Sequence, residues 1–97
     1  MALHLDRMRE NEEVFRMANE RLRGRIAGSV TADRLVPFLC ECEDELCLER
    51  MEMTLDDYGR VRADRNTFAV VPGHAAAHGE VVVHEHRSFH VVRKEAA

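Results

Sequence analysis

A chain of 97 residues with a formal net charge of −4, 45% hydrophobic and 33% charged, reads as one small globular domain over 1–97, and the composition argues against a disordered chain. The acidic balance counts against non-specific nucleic-acid binding, which needs a basic surface, and no apolar run reaches bilayer-spanning length. Such a chain buries only about 60–65% of its unfolded surface, and with no Trp, one Tyr and four Phe its largely aliphatic core would gain from an added staple.

The first predicted element is a helix over 5–27. Met8, Phe15, Ala18, Leu22 and Ile26 recur at helical spacing and predict a core-facing apolar stripe, with Leu5 at its edge. Arg21, Arg23 and Arg25 favour the C-terminal end of the macrodipole, and Gly28 is a stop signal. The segment before this helix turns charged at once and has no apolar signal core. With three cysteines, an odd number, crowded between Cys40 and Cys47, this suggests a reducing, cytoplasmic setting and a metal rather than a disulfide framework.

After a connector over 29–33, Leu35 to Cys40 predicts a strand, with Pro37 placing it at an edge or bulge. The acidic stretch Glu41 to Leu46 predicts a solvated turn enclosed by the cysteines. Leu48 to Met53 alternates as an antiparallel return strand. Thr54, with Asp57 three residues on, opens a short helix through Val61 or Arg62. Tyr58 on that helix is expected to lay its ring on the sheet with the hydroxyl towards solvent. Thr67 to Val71 is a strand closed by Pro72-Gly73, followed by a loop over 74–79. Val81 to His86 and Phe89 to Arg93 form a hairpin turning near Arg87-Ser88. The expected architecture is α+β: a long N-terminal helix, then a zinc-knuckle and sheet region over 34–94, made of a small antiparallel sheet and one short helix.

The motif that carries chemistry is Cys40-x-Cys42-x₄-Cys47. Residues two apart in extended chain point to the same side, so Cys40 and Cys42 can face one ion, and four intervening residues let the chain return Cys47 as a third ligand. Zn²⁺ takes thiolates in a tetrahedral array, and a structural site closes its fourth vertex with protein. His74 is the leading candidate, because the Pro72-Gly73 turn can swing it back to the knuckle. His78 is the alternative. His84, His86 and His90 fall in the hairpin and His4 precedes the helix. Thiols that merely pack as small hydrophobes are the bland reading. A catalytic zinc would use more nitrogen and oxygen ligands, and an iron–sulfur cluster would want four cysteines.

The Cys-x-Cys-x₄-Cys spacing is similar to the zinc knuckle that follows SET domains in protein methyltransferases, and that likeness is local. Over most of its length the chain more closely resembles a family of small, uncharacterised actinobacterial-type proteins. The residues that carry the resemblance are Phe15, Ala18-Asn19-Glu20, Phe38-Leu-Cys40-Glu-Cys42, Cys47, Tyr58, Val61-Arg62, Phe68, Val71-Pro-Gly-His74 and Val91-Val-x-Lys94. The resemblance implies the pairing of the cysteine motif with a Pro-Gly-His fourth ligand, and it implies no activity. Glu43 and Ala75 depart from the family pattern without touching the ligands.

Weaker features admit bland readings. Met8, Phe15 and Leu22, seven apart, could form the seam of a homodimer through the N-terminal helix, although a core stripe explains them. Arg16, Arg21, Arg23 and Arg25 could form a phosphate-binding patch, or simply complement the helix dipole. His84-x-His86 with His90 could be a second metal cluster or pH switch, against exposed hairpin histidines with no role. No nucleophile–base pairing emerges. The expected function is therefore a structural-zinc (Zn²⁺) module that is not an enzyme and that contacts another protein as an interaction or regulatory unit. The alternatives are a thiol/zinc redox sensor and a DNA-associated regulator.

Overall fold

The computed structural model describes residues 2–42, 44, 46–74 and 80–94, and the side chains from 12 onwards within that set apart from those of 80 and 94. Helix α1 runs Ala2–Ile26, β1 Leu35–Leu39, β2 Arg50–Thr54, α2 Leu55–Arg62, β3 Thr67–Val70, β4 Glu80–Glu85 and β5 His90–Lys94. The class is α+β, with a long N-terminal helix and one short helix as expected. The strands, however, form two antiparallel sheets rather than one: β1 pairs with β2, and β3, β5 and β4 follow in that order.

β1 pairs with β2 in a register that places Val36 opposite Met53 and Phe38 opposite Met51. Alternation then puts Val36 and Phe38 of one strand and Met51 and Met53 of the other on a single buried face. Pro37 is exposed in a two-stranded sheet, where a missing N–H is tolerated. β2 passes directly into α2, and Thr54 caps that helix by accepting the Asp57 amide at 3.0 Å. α2 buries Leu55, Tyr58 and Val61. The Tyr58 ring stacks on Phe38 at 4.5 Å between centroids.

β3 is buried along its whole length and divides the interior. Ala69, with Phe89 and Val91, joins the cluster built on Phe38, Met51, Met53 and Tyr58. Phe68 and Val70, with Val92 of β5, form a second cluster around Cys40, Cys42 and Cys47. The sulfurs thus have an apolar floor on one face of the three-stranded sheet. Two hydrogen bonds at Ala69 tie this sheet to the knuckle: the Glu41 amide donates to the Ala69 carbonyl at 2.8 Å, and the Ala69 amide donates to Glu41 Oε1 at 3.0 Å. One side chain and one main-chain bond replace the ladder that a continuous sheet would have formed.

α1 docks differently from its apolar pattern. Leu22 and Ile26 pack against the main core, but Phe15 and Ala18 are only half-buried, and the fully buried positions are Glu12, Arg16 and Asn19. That polar face is turned about 70° around the helix axis from the predicted stripe. Hydrogen-bonding partners across the interface draw Arg16 and Asn19 inward, as described below. Tyr58 is also corrected. It is fully buried, and its hydroxyl points into protein rather than solvent. Met8, His4, Glu43, Glu45, Ala75 and His78 have side chains outside the described set.

Candidate metal centre

Each candidate ligand is delivered by a local device. Cys40 continues the inward alternation of β1, its amide bonded to the Glu49 carbonyl at 3.0 Å, which closes the neck of the knuckle. Within the loop, Asp44 turns the chain back. Its Oδ1 accepts the Leu46 amide at 2.9 Å and its carbonyl accepts the Cys47 amide at 3.0 Å, the pattern by which an Asp side chain mimics a turn. His74 follows Val71-Pro72-Gly73, whose ends are joined by the His74 amide to the Val71 carbonyl at 2.9 Å. Gly73 has φ +89°. Proline at the second position and a left-handed glycine at the third are the pattern of a type II turn.

The outcome is one cluster. Cys40, Cys42, Cys47 and His74 each offer a ligand atom, and the four atoms lie within 4.8 Å of one another. His74 Nδ1 is 3.5 Å from the Sγ atoms of both Cys40 and Cys47. Its other nitrogen, Nε2, is 2.9 Å from Glu49 Oε2. A carboxylate on the far nitrogen fixes the tautomer that leaves Nδ1 free to ligate. The Val71 amide donates to Cys40 Sγ at 3.1 Å, a contact that favours a thiolate. These residues could hold a metal ion. No protein family, curated protein or solved structure matches the chain.

The electrostatics of the cluster fit a cation. Hydrogen bonding from Cys40 holds the Cys42 thiol down at about 5. Cys40, as the donor and also buried, is pushed far above its ordinary range, and burial raises Cys47. Three crowded sulfurs sustain one negative charge easily and three only against a counter-charge, which a divalent ion supplies.

Among the described residues, this is the group of Cys, His, Asp and Glu close enough to hold an ion. The hairpin histidines do not converge: His86 stacks on Phe89 with centroids 4.4 Å apart, while His90 lies 4.0 Å from Glu85. The expected arginine patch loses Arg16, which is buried and donates to the Arg65 and Asp64 carbonyls at 2.5 and 3.1 Å.

The residue that sequence reasoning placed in a solvated turn is Glu41, and here the structure overturns the expectation. Glu41 is 0% exposed. Its Oε2 accepts from the Tyr58 hydroxyl at 2.5 Å and from Asn19 Nδ2 at 2.8 Å, and its Oε1 accepts the Ala69 amide. Burial raises its pKa, while these donors and Arg16 pull it back. A signal for it existed: if Cys40 and Cys42 face one ion, alternation turns Glu41 the opposite way, into the protein.

Proposed function

We propose that the chain is a small zinc module, without catalytic activity of its own, whose metal fixes a surface for a protein partner. The distances at His74 carry the metal assignment. Zn–S bonds of about 2.3 Å and Zn–N bonds of about 2.0–2.1 Å at tetrahedral angles need about 3.5–3.6 Å between a ligating sulfur and nitrogen. Both sulfur–nitrogen distances at His74 are 3.5 Å. Three thiolates and an imidazole complete four-coordination with protein, the composition of a structural site.

Exposed apolar side chains support the interaction half of the reading. Leu46 and Leu48 flank Cys47 at 83% and 79% exposure, and Val81, Val82 and Val83 stand open on the edge strand β4. The redox-sensor alternative is less favoured, because Cys40 and Cys42 are buried and a peroxide sensor needs an accessible thiolate. No helix among the described residues is long and apolar enough to cross a membrane.

Two experiments test the proposal. Metal analysis of freshly isolated protein should return one zinc per chain. Affinity capture from native lysate with zinc-loaded and chelated protein should recover a stoichiometric protein only with the loaded form. Recovery of nothing stoichiometric in either state would remove the partner from the account and leave the metal.

A further inference from the structure

The grip on α1 runs through the same four residues of backbone that supply two of the ligands. Asn19 pairs with Leu39 as a neighbouring strand would: its Nδ2 donates to the Leu39 carbonyl and its Oδ1 accepts the Leu39 amide, both at 2.8 Å. The same Nδ2 reaches Glu41 Oε2 at 2.8 Å. Tyr58 also bridges the two parts, its hydroxyl 2.5 Å from Glu41 Oε2 and 3.5 Å from the Arg16 carbonyl. Of the described side chains of α1, the half-buried Leu22 and Ile26 pack against the main core, and Arg16 lies over the Phe68 ring of the second cluster. Docking of the helix therefore leans on two sets of polar contacts: Arg16 to the Asp64 and Arg65 carbonyls with the Glu20–Arg62 ion pair, and those whose partners lie at Leu39 and Glu41, on either side of Cys40.

We propose that metal occupancy latches α1, so that the helix is docked while an ion holds Cys40 and Cys42 and is released when the ion leaves. The latch rests on the reading of the four residues as a metal centre. Its physics lies in Glu41. With Cys40 and Cys42 pinned, alternation holds the intervening carboxylate against three donors. Once the cysteines are free to move, that register is lost, and a buried carboxylate with incomplete partners is far less favourable than one in water. The network is satisfied together or not at all, which makes the response a switch rather than a gradual loosening. Linkage makes the effect reciprocal: if the ion favours docking, docking raises affinity for the ion by the same factor. Asn19, whose hydrogen bonds go to Leu39 and Glu41 rather than to a candidate ligand, is therefore a positioning residue for the metal.

Hydrogen exchange of the full chain, with zinc and after chelation, tests the latch. Chelation is expected to speed exchange in α1 to that of an isolated helix, while α2, β3 and β5 keep most of their protection. Asn19→Ala should keep the fold by circular dichroism, bind zinc roughly 10-fold more weakly, and show fast α1 exchange even when saturated with metal. One zinc per chain with α1 exchange indifferent to its removal would overturn the latch and spare the metal centre. Simultaneous loss of protection in every element, or Asn19→Ala with unchanged affinity, would also overturn it. A chain that takes up no zinc would overturn both.

Discussion

Cys42→Ser keeps the shape of the knuckle while replacing a sulfur of the cluster with a harder oxygen, and is expected to abolish zinc binding in a competition titration. His74→Ala should weaken binding without abolishing it, since three sulfurs remain. Glu49→Gln tests the outer contact. Glu49 is largely exposed, its carboxylate 2.9 Å from His74 Nε2, so the loss should sit near the lower end of the 10–100-fold typical of such partners. Tyr58 supplies a pH prediction. Burial, reinforced by the Glu41 carboxylate, holds its phenol well above the ordinary range. A raised folded pKa means that the neutral form is the one the fold stabilises. Its contribution is complete below the unfolded value near 10 and declines as pH rises beyond it, by about 1.4 kcal/mol per pH unit. Tyr58 is the single tyrosine and Trp is absent, so phenolate absorbance titrates it alone. It should ionise only as the protein unfolds, and Tyr58→Phe should remove its share of the alkaline slope. The convergence of Cys40, Cys42, Cys47 and His74 was legible because cysteine spacing and a Pro-Gly turn are local signals. Asn19 and Arg16 were not, because polar residues on a helix read as solvated unless their buried partners, tens of residues away, are known; the inward turn of Glu41 was legible only through alternation between Cys40 and Cys42.

Among the elements, local rules served well where local chemistry decides. The Thr54 cap formed as the Thr-x-x-Asp pattern implies, and Thr54→Ala should lower stability by about 1 kcal/mol in denaturant unfolding. At Gly59, within α2, an added Cβ would lie 3.1 Å from Arg23 Nη2, the far end of an exposed, flexible side chain. That side chain can yield, so Gly59→Ala should stabilise the protein by about 0.5–1 kcal/mol through helix propensity; a net loss would mean that Arg23 is held in place. Periodicity found the strands and the hairpin but misjudged α1, since a hydrophobic stripe reports only apolar burial. The division into two sheets was equally hidden. It depends on Glu41 meeting Ala69, a pairing 28 positions apart that no window of neighbouring residues contains.

At the scale of the whole molecule, the cysteine cluster stands where the knuckle, β3, β5 and the polar docking of α1 meet. A chain of this size has a marginal core, and metal bound only by the folded form adds its binding free energy to folding. The raised Cys40 and Cys47 thiols must lose their protons on binding, so apparent zinc affinity should fall as pH falls.

Native mass spectrometry of untagged protein, coupled to thermal melts before and after chelation, tests the central claim most directly. Three sulfurs and one imidazole clamped on an ion predict a single zinc per chain, its removal by EDTA, and a melt that broadens or moves sharply downward. Metal-free protein that melts cooperatively at a temperature EDTA does not change would contradict the account.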